Sequence, residues 1–155
     1  MNRIEKVREV VDEILLNMPD NEERRCAYLH LYGVSQACAL LALKRKENEE
    51  LAIAAAMLHD IYTYAKMDPA DHAHKGAKMA REILDSLHIF VEDEIDLICT
   101  AIYNHSDKSA MHGWLDEILK DADVMQHVLY NPLFDIKRQE QKRFDLLQKE
   151  FEIDE

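Results

Sequence analysis

The stretch Ala54-Ala55-Ala56-Met57-Leu58-His59-Asp60-Ile61 decides how this chain is read. An apolar run ends in an imidazole and a carboxylate side by side. Carrying two such groups into an apolar setting is costly unless something compensates them. A divalent metal ion would compensate both, with His30, His72, His105 and Asp123 arriving from other segments to complete the site.

Working outward from that stretch, helical periodicity dominates. Ile4, Val7, Val11, Ile14 and Met18 lie on one stripe of a first helix, ended by Pro19-Asp20-Asn21. Asp20 or Asn21 can cap a long second helix, whose apolar side carries Tyr28, Leu31, Val34, Cys38 and Leu41 and whose end carries Lys44-Arg45-Lys46. Gly33 lowers propensity inside it and predicts close packing near His30. Asn48 is the expected cap of a third helix running to about Tyr64, and Met67-Asp68-Pro69 breaks the chain before a fourth through Ala73, Ala77, Ala80 and Leu84. A fifth starts near Glu92. A polar loop spans residues 106–113, and a sixth helix runs from Trp114 to about Leu129. After Asn131-Pro132 a charged last helix carries Leu133, Ile136, Leu147 and Phe151, and the acidic tail from Glu150 is expected to fray. No strand-like alternation, repeat or linker is found. The expectation is all-α: a compact bundle of about seven helices forming one domain over residues 1–155.

Composition agrees. A chain of 155 residues, 48% hydrophobic with 3 Gly and 3 Pro, has the makings of a core and little material for long loops. A net charge of −12 argues against nucleic acid polymers and anionic membranes as partners. An anionic substrate would need a local positive centre. Cys26, Cys38 and Cys99 are odd in number and lack metal-type spacing, which predicts free thiols in a reducing compartment. The charged start of the chain shows no apolar signal core, and no apolar run is read as long enough to cross a bilayer. The expected location is the cytoplasm, and the expected state a monomer or homodimer.

Each candidate ligand shares a helix face with apolar residues, because positions three or four apart are neighbours on a helix. His30 is in register with Val34, Ala37 and Leu41; His59 follows Ala52 and Ala55; Asp60 follows Ile53 and Ala56. His72 leads Gly76, Met79 and Ile83; His105 follows Ile98 and Ile102; Asp123 follows Leu115 and Leu119. A lone histidine on such a face is usually a core residue bonded to a carbonyl. Six inward polar groups are another matter, since two buried aspartates without a cation would be strongly unfavourable. Imidazole with carboxylate suits Mn, Fe, Co, Ni or Zn, with Mg also admitted, better than Ca. Methionines 57, 79, 111 and 125 read as core filling or lining, and His88, His112 and His127 as structural or surface residues.

His30, then Leu58-His59-Asp60, then Asp123 in Lys120-Asp121-Ala122-Asp123, resembles the H…HD…D signature of the HD-domain phosphohydrolase superfamily. The likeness covers roughly residues 25–130. His72-Ala73-His74-Lys75-Gly76-Ala77 and Ala101-Ile102-Tyr103-Asn104-His105 resemble the two extra histidine blocks of its dinuclear members. The resemblance implies an all-α fold in which His30, His59, Asp60 and Asp123 hold one ion. His72 and His105 would hold a second, with Asp60 bridging and a metal-activated hydroxide attacking a phosphate ester. With one ion only, His72 and His105 would contact phosphate or relay a proton, so Asp60, His72 and His105 are the catalytic candidates. Two residues from His72, His74 faces elsewhere on a helix; Asp123 is preferred over Asp121 by face and by family spacing. Lys75, Lys108 and Lys120 are the candidate phosphate-binding cations. The chain lacks a G-Y-P block after the HD pair, so a cyclic dinucleotide phosphodiesterase of that type is not expected; the layout is similar to that of the enzymes that split diadenosine tetraphosphate symmetrically, but the segment after Asp123 and the distance of Lys66 from His59-Asp60 depart from them, so that substrate carries over only weakly.

The expected activity is hydrolysis of a small phosphorylated molecule, a nucleotide above all. The competing readings are a di-iron oxygenase and a non-catalytic module that binds nucleotide or metal to regulate a partner.

Overall fold

A computed structural model describes residues 1–152. Among them the structure is all-α, with eight helices: α1 (Arg3–Leu16), α2 (Asn21–Arg45), α3 (Glu49–Leu58), α4 (Ile61–Lys66), α5 (His72–Leu87), α6 (Glu92–Asn104), α7 (Trp114–Tyr130) and α8 (Arg138–Glu150). The expected third helix is two. It breaks at His59-Asp60, where Asp60 adopts φ −110° and ψ 12°, and the chain restarts as the short α4. The break turns His59 and Asp60 toward the same centre, which an unbroken helix could not do with adjacent residues 100° apart.

Side chains end the helices where the sequence places caps. Asp20 accepts from the backbone N–H groups of Glu22 and Glu23 at 2.8 Å each, and Asn48 accepts from that of Leu51 at 3.1 Å. Lys46, Met67, Asp71 and His88 take left-handed conformations at helix ends. The last helix begins at Arg138, so Leu133 and Ile136 lie in the connection before it. Glu150 is still helical and pairs with Arg45 at 2.7 Å; the end of the acidic tail, residues 153–155, lies outside the described residues.

Helix α3 is the axis of the fold. Leu51, Ala52 and the whole run Ala54–Leu58 are buried, as a helix apolar on all sides must be. It packs against α2, α6, α1 and α7, and its alanines let those helices approach. Helix α2 corrects one expectation: by length and apolar composition it is sufficient to span a bilayer. In the fold its apolar side (Ala27, Leu31, Val34, Cys38, Leu41) is buried, and it is the core helix that carries His30. Cys38 and Cys99 are buried free thiols and Cys26 is exposed. Met57 and Met125 fill the core, whereas Met111 is 80% exposed and fills nothing.

Two glycines set the approach of helices around the site. A Cβ on Gly33 would lie 2.8 Å from Cγ of Gln126, and one on Gly76 would lie 3.0 Å from the carbonyl oxygen of His59. Gly33 therefore admits α7 against α2, and Gly76 admits α5 against the α3–α4 break.

Candidate metal centre

The six sequence candidates meet at one place, and most of them sit at helix ends. His59 closes α3, Asp60 precedes α4, His72 opens α5 and His105 closes α6. Only His30 and Asp123 project from mid-helix. His59, His105 and Asp123 are buried at 0%, 2% and 5% exposure.

The histidines share one wiring. Nδ1 of His59 donates to the carbonyl of Ala56 at 2.7 Å, Nδ1 of His105 to that of Ile102 at 2.6 Å, and Nδ1 of His72 to that of Pro69 at 3.3 Å. Nδ1 of His30 donates to Oε1 of Gln126 at 2.8 Å. A carbonyl can only accept, so each ring when neutral keeps its proton on Nδ1 and turns a bare Nε2 toward the centre. Nε2 of His30 and Nε2 of His59 are 3.1 Å apart.

Between these nitrogens stand the carboxylates. Oδ2 of Asp60 lies 3.3 Å from Nε2 of His30 and 3.4 Å from Nε2 of His59. Its Oδ1 lies 3.4 Å from Nε2 of His105 and 3.7 Å from Nε2 of His72. Oδ1 of Asp123 lies 3.5 Å from Nε2 of His30. Acceptors thus face acceptors. Oδ1 of Asp60 and Oδ1 of Asp123 are buried without a hydrogen-bond partner, a state that costs several kcal/mol unless a cation resolves it, by roughly the desolvation penalty of such groups.

The electrostatics point the same way. Burial alone would raise the pKa of Asp60, but the surrounding His59, His105 and His30 outweigh it and hold the carboxyl well below its usual range. For Asp123 burial is likewise outweighed, by Lys108 and the histidines. Burial pushes His59 down to about 4, so that ring is neutral. Burial also disfavours the charged form of His30, yet Asp60 and Asp123 reverse the sign and raise its pKa. Positive charge is favoured at this point of the fold. Imidazole nitrogen and carboxylate oxygen in sets of three, with donor atoms within 4.8 Å of one another (His30, His59 and Asp60; Asp60, His72 and His105), fit a divalent transition metal.

The lysines divide. Lys108 belongs to the site: its ammonium donates to Oδ2 of Asp123 and, at 2.8 Å, to the carbonyl of His105. Lys75 is drawn away, to Asp68 at 3.0 Å and over the Tyr62 ring. Lys120 is corrected: it is fully buried, and its ammonium meets the carbonyl of Ala110, Nδ1 of His112 and Glu117 at 2.6–2.9 Å. With its donors spent inside the protein it holds the 106–113 loop and does not reach a substrate. His74 turns away to stack on Tyr103, and Asp121 pairs with Arg45 and Arg143 on the opposite side of α7.

Three further residues reach the site that the sequence reading left out. Gln126 orients His30. His127, read from the sequence as a structural or surface residue, stacks on His30 with ring centroids 5.4 Å apart and puts Nε2 3.3 Å from Oδ1 of Asp123. Glu140 of α8 accepts from Nδ1 of His127 at 3.1 Å. The signal for Gln126 and His127 was present, since they lie three and four residues after Asp123 on one helix. Nothing local marked Glu140.

An all-α fold that gathers histidines and aspartates around a shared carboxylate defines a class of helical metal-site proteins. Within that class the chain belongs to the HD domain family, whose sequence profile matches residues 27–127. A solved structure with the same fold is that of a predicted HD superfamily hydrolase from an uncultured Thermotogales bacterium, 21% identical, with a TM-score of 0.64 over 96% of this chain and 88% of that one. No curated protein matches the chain significantly.

Proposed function

We propose that this chain is a metal-dependent phosphohydrolase that cleaves a phosphate ester or anhydride of a small molecule, with nucleotides the favoured class. The observation that carries the reading is the divided carboxylate of Asp60. One oxygen faces His30 and His59, the other His72 and His105, as a group shared by two ions would. Membership of the HD family and the likeness in fold to a predicted HD superfamily hydrolase support it.

His30, His59, Asp60 and Asp123 would hold one ion; Asp60, His72 and His105 would hold the other. Divalent cations bound there lower the pKa of water and neutralise charge growing on phosphoryl oxygens. The chain supplies the rest. Four rings anchored through Nδ1 keep their Nε2 atoms aimed without rearrangement. Lys108 fixes Oδ2 of Asp123 and leaves Oδ1 to the centre, and the one donor its ammonium has left after Asp123 and the carbonyl of His105 would meet a substrate phosphate. His72, whose side chain is 34% exposed against 3% for His105, is the more accessible of the two and would meet a substrate first. The overall charge of −12 repels anions, so the pull on a phosphate comes from this centre alone.

The test is elemental analysis of the purified protein, followed by reloading with Mn, Co, Ni, Fe or Zn and a phosphate-release screen over nucleotides and other phosphate esters. Metal-dependent release that falls by roughly a hundredfold or more in His59→Ala is expected. No release with any metal, from wild type and His59→Ala alike, overturns the reading.

A further inference from the structure

We propose that His127, held in place by Glu140, is an additional ligand for a divalent metal ion at the His30–Asp123 end of the centre; the inference rests on the metal reading above. His127 lies outside the six residues that the sequence signature supplies. Its Nδ1 donates to Oε1 of Glu140 at 3.1 Å, so in the neutral ring its Nε2 carries the lone pair. That Nε2 is 3.3 Å from Oδ1 of Asp123, an oxygen that is buried and accepts no hydrogen bond. Two acceptors again face each other, as they do at His30, and a cation is what both lack.

The geometry completes a third donor set. His30, Asp123 and His127 each bring one atom within 4.8 Å of the others. The rings of His30 and His127 are near-parallel, at 14°, and both present Nε2 to the same aspartate oxygen. The carboxylate behind the imidazole is the arrangement that fixes tautomer and aim in metal-binding histidines. Glu140 fits that role in its own right: its side chain is 4% exposed, and besides His127 its only salt-bridge neighbour among the described residues is Lys137 at 3.8 Å. A carboxylate buried this deeply on a charged helix has no use as a solvated residue. Its effect is to connect α8, which lies outside the match to the family profile, to the metal centre.

The inference is tested by titrating the metal-freed full chain with Mn²⁺ and with Co²⁺, following heat, bound stoichiometry and the visible spectrum of cobalt. The variants are His127→Ala, His127→Gln and Glu140→Gln. His127→Ala is expected to weaken binding about tenfold or more, or to lose one equivalent of metal, and to alter the cobalt spectrum; Glu140→Gln should weaken binding by about tenfold. A purely structural His127 would lower thermal stability equally with and without metal. A ligand shrinks the rise in Tm that metal produces. His127→Gln keeps a polar side chain of similar size and serves where the alanine variant does not fold. Wild-type stoichiometry, affinity and cobalt spectrum in the His127 variants overturn the inference and leave the metal reading standing. A wild-type chain that takes up no divalent metal overturns both.

Discussion

At the scale of single residues the centre is built by pairing each ligand with a partner that fixes it. His30 shows how far this reaches. Its ring is aimed by Gln126 on α7, and Gln126 has room only because position 33 on α2 carries no side chain. Gly33→Ala would drive a methyl group into Cγ of Gln126, within the side chain and not at its flexible end. The expected outcome is a loss of roughly 1–3 kcal/mol of stability from overpacking, read from the urea midpoint. A weaker metal affinity should accompany it, because His30 loses its aim; Gly33→Ala with wild-type metal binding would show that Gln126 is dispensable to the ring. The glycine was legible in the sequence as a helix irregularity near His30. The residue it makes room for was not, since it lies 93 positions further along the chain.

At the scale of elements, two devices position the site: the break between α3 and α4, and the buttress of α8. The sequence predicts one helix from Asn48 to about Tyr64 because apolar periodicity runs through His59-Asp60 undisturbed. Periodicity records which faces are buried and is blind to a bend that keeps both halves buried. Helix α8 acts through Arg143 as well as Glu140. Arg143 donates to the carbonyl of Lys108 at 2.8 Å, to Glu117 at 2.7 Å and to Asp121 at 2.9 Å. It thus holds the loop that carries Lys108 and joins α8 to α7. Arg143→Ala would take one cation from two largely buried carboxylates and leave Glu117 to Lys120 and Asp121 to Arg45, at a cost of roughly 1.5–3 kcal/mol for the lost charged hydrogen bonds. The chemical-denaturation curve of the metal-free chain measures it. A change below about 1 kcal/mol would mean that water replaces the guanidinium and that the network is peripheral.

At the scale of the whole molecule, an acidic chain is stapled by ion pairs whose carboxylates bridge separate helices. Arg3 joins α1 to Glu50 and Glu94, and Arg45 joins α2 to Glu150 and Asp121. Glu50, Glu94 and Glu150 sit below their usual pKa, each chiefly through its hydrogen bonds from arginine; for Glu117 burial opposes, and Arg143 and Lys120 prevail. A carboxylate whose folded pKa is depressed binds its proton more readily when unfolded. The stability it contributes is therefore complete above the unfolded value near ~4.3 and is lost as pH falls through the folded one. Tm of the metal-free protein should decline gently below about pH 6.5, where His59 with its pKa of about 4 resists protonation and the raised His30 partly offsets it, and fall steeply below ~4.5 as these carboxylates protonate; no steepening below ~4.5 would remove these pairs from the account of stability. The helical class, most of the helix ends and the six residues of the H…HD…D pattern with its two added histidines are legible along the chain, because burial periodicity, caps and ligand chemistry are all local. Folding adds the rest: the third helix breaks, Lys120 turns inward while Lys108 meets Asp123, and His127 and Glu140 come to lie beside the centre. Those outcomes depend on which helices lie side by side, and that is settled by packing between residues distant in the chain.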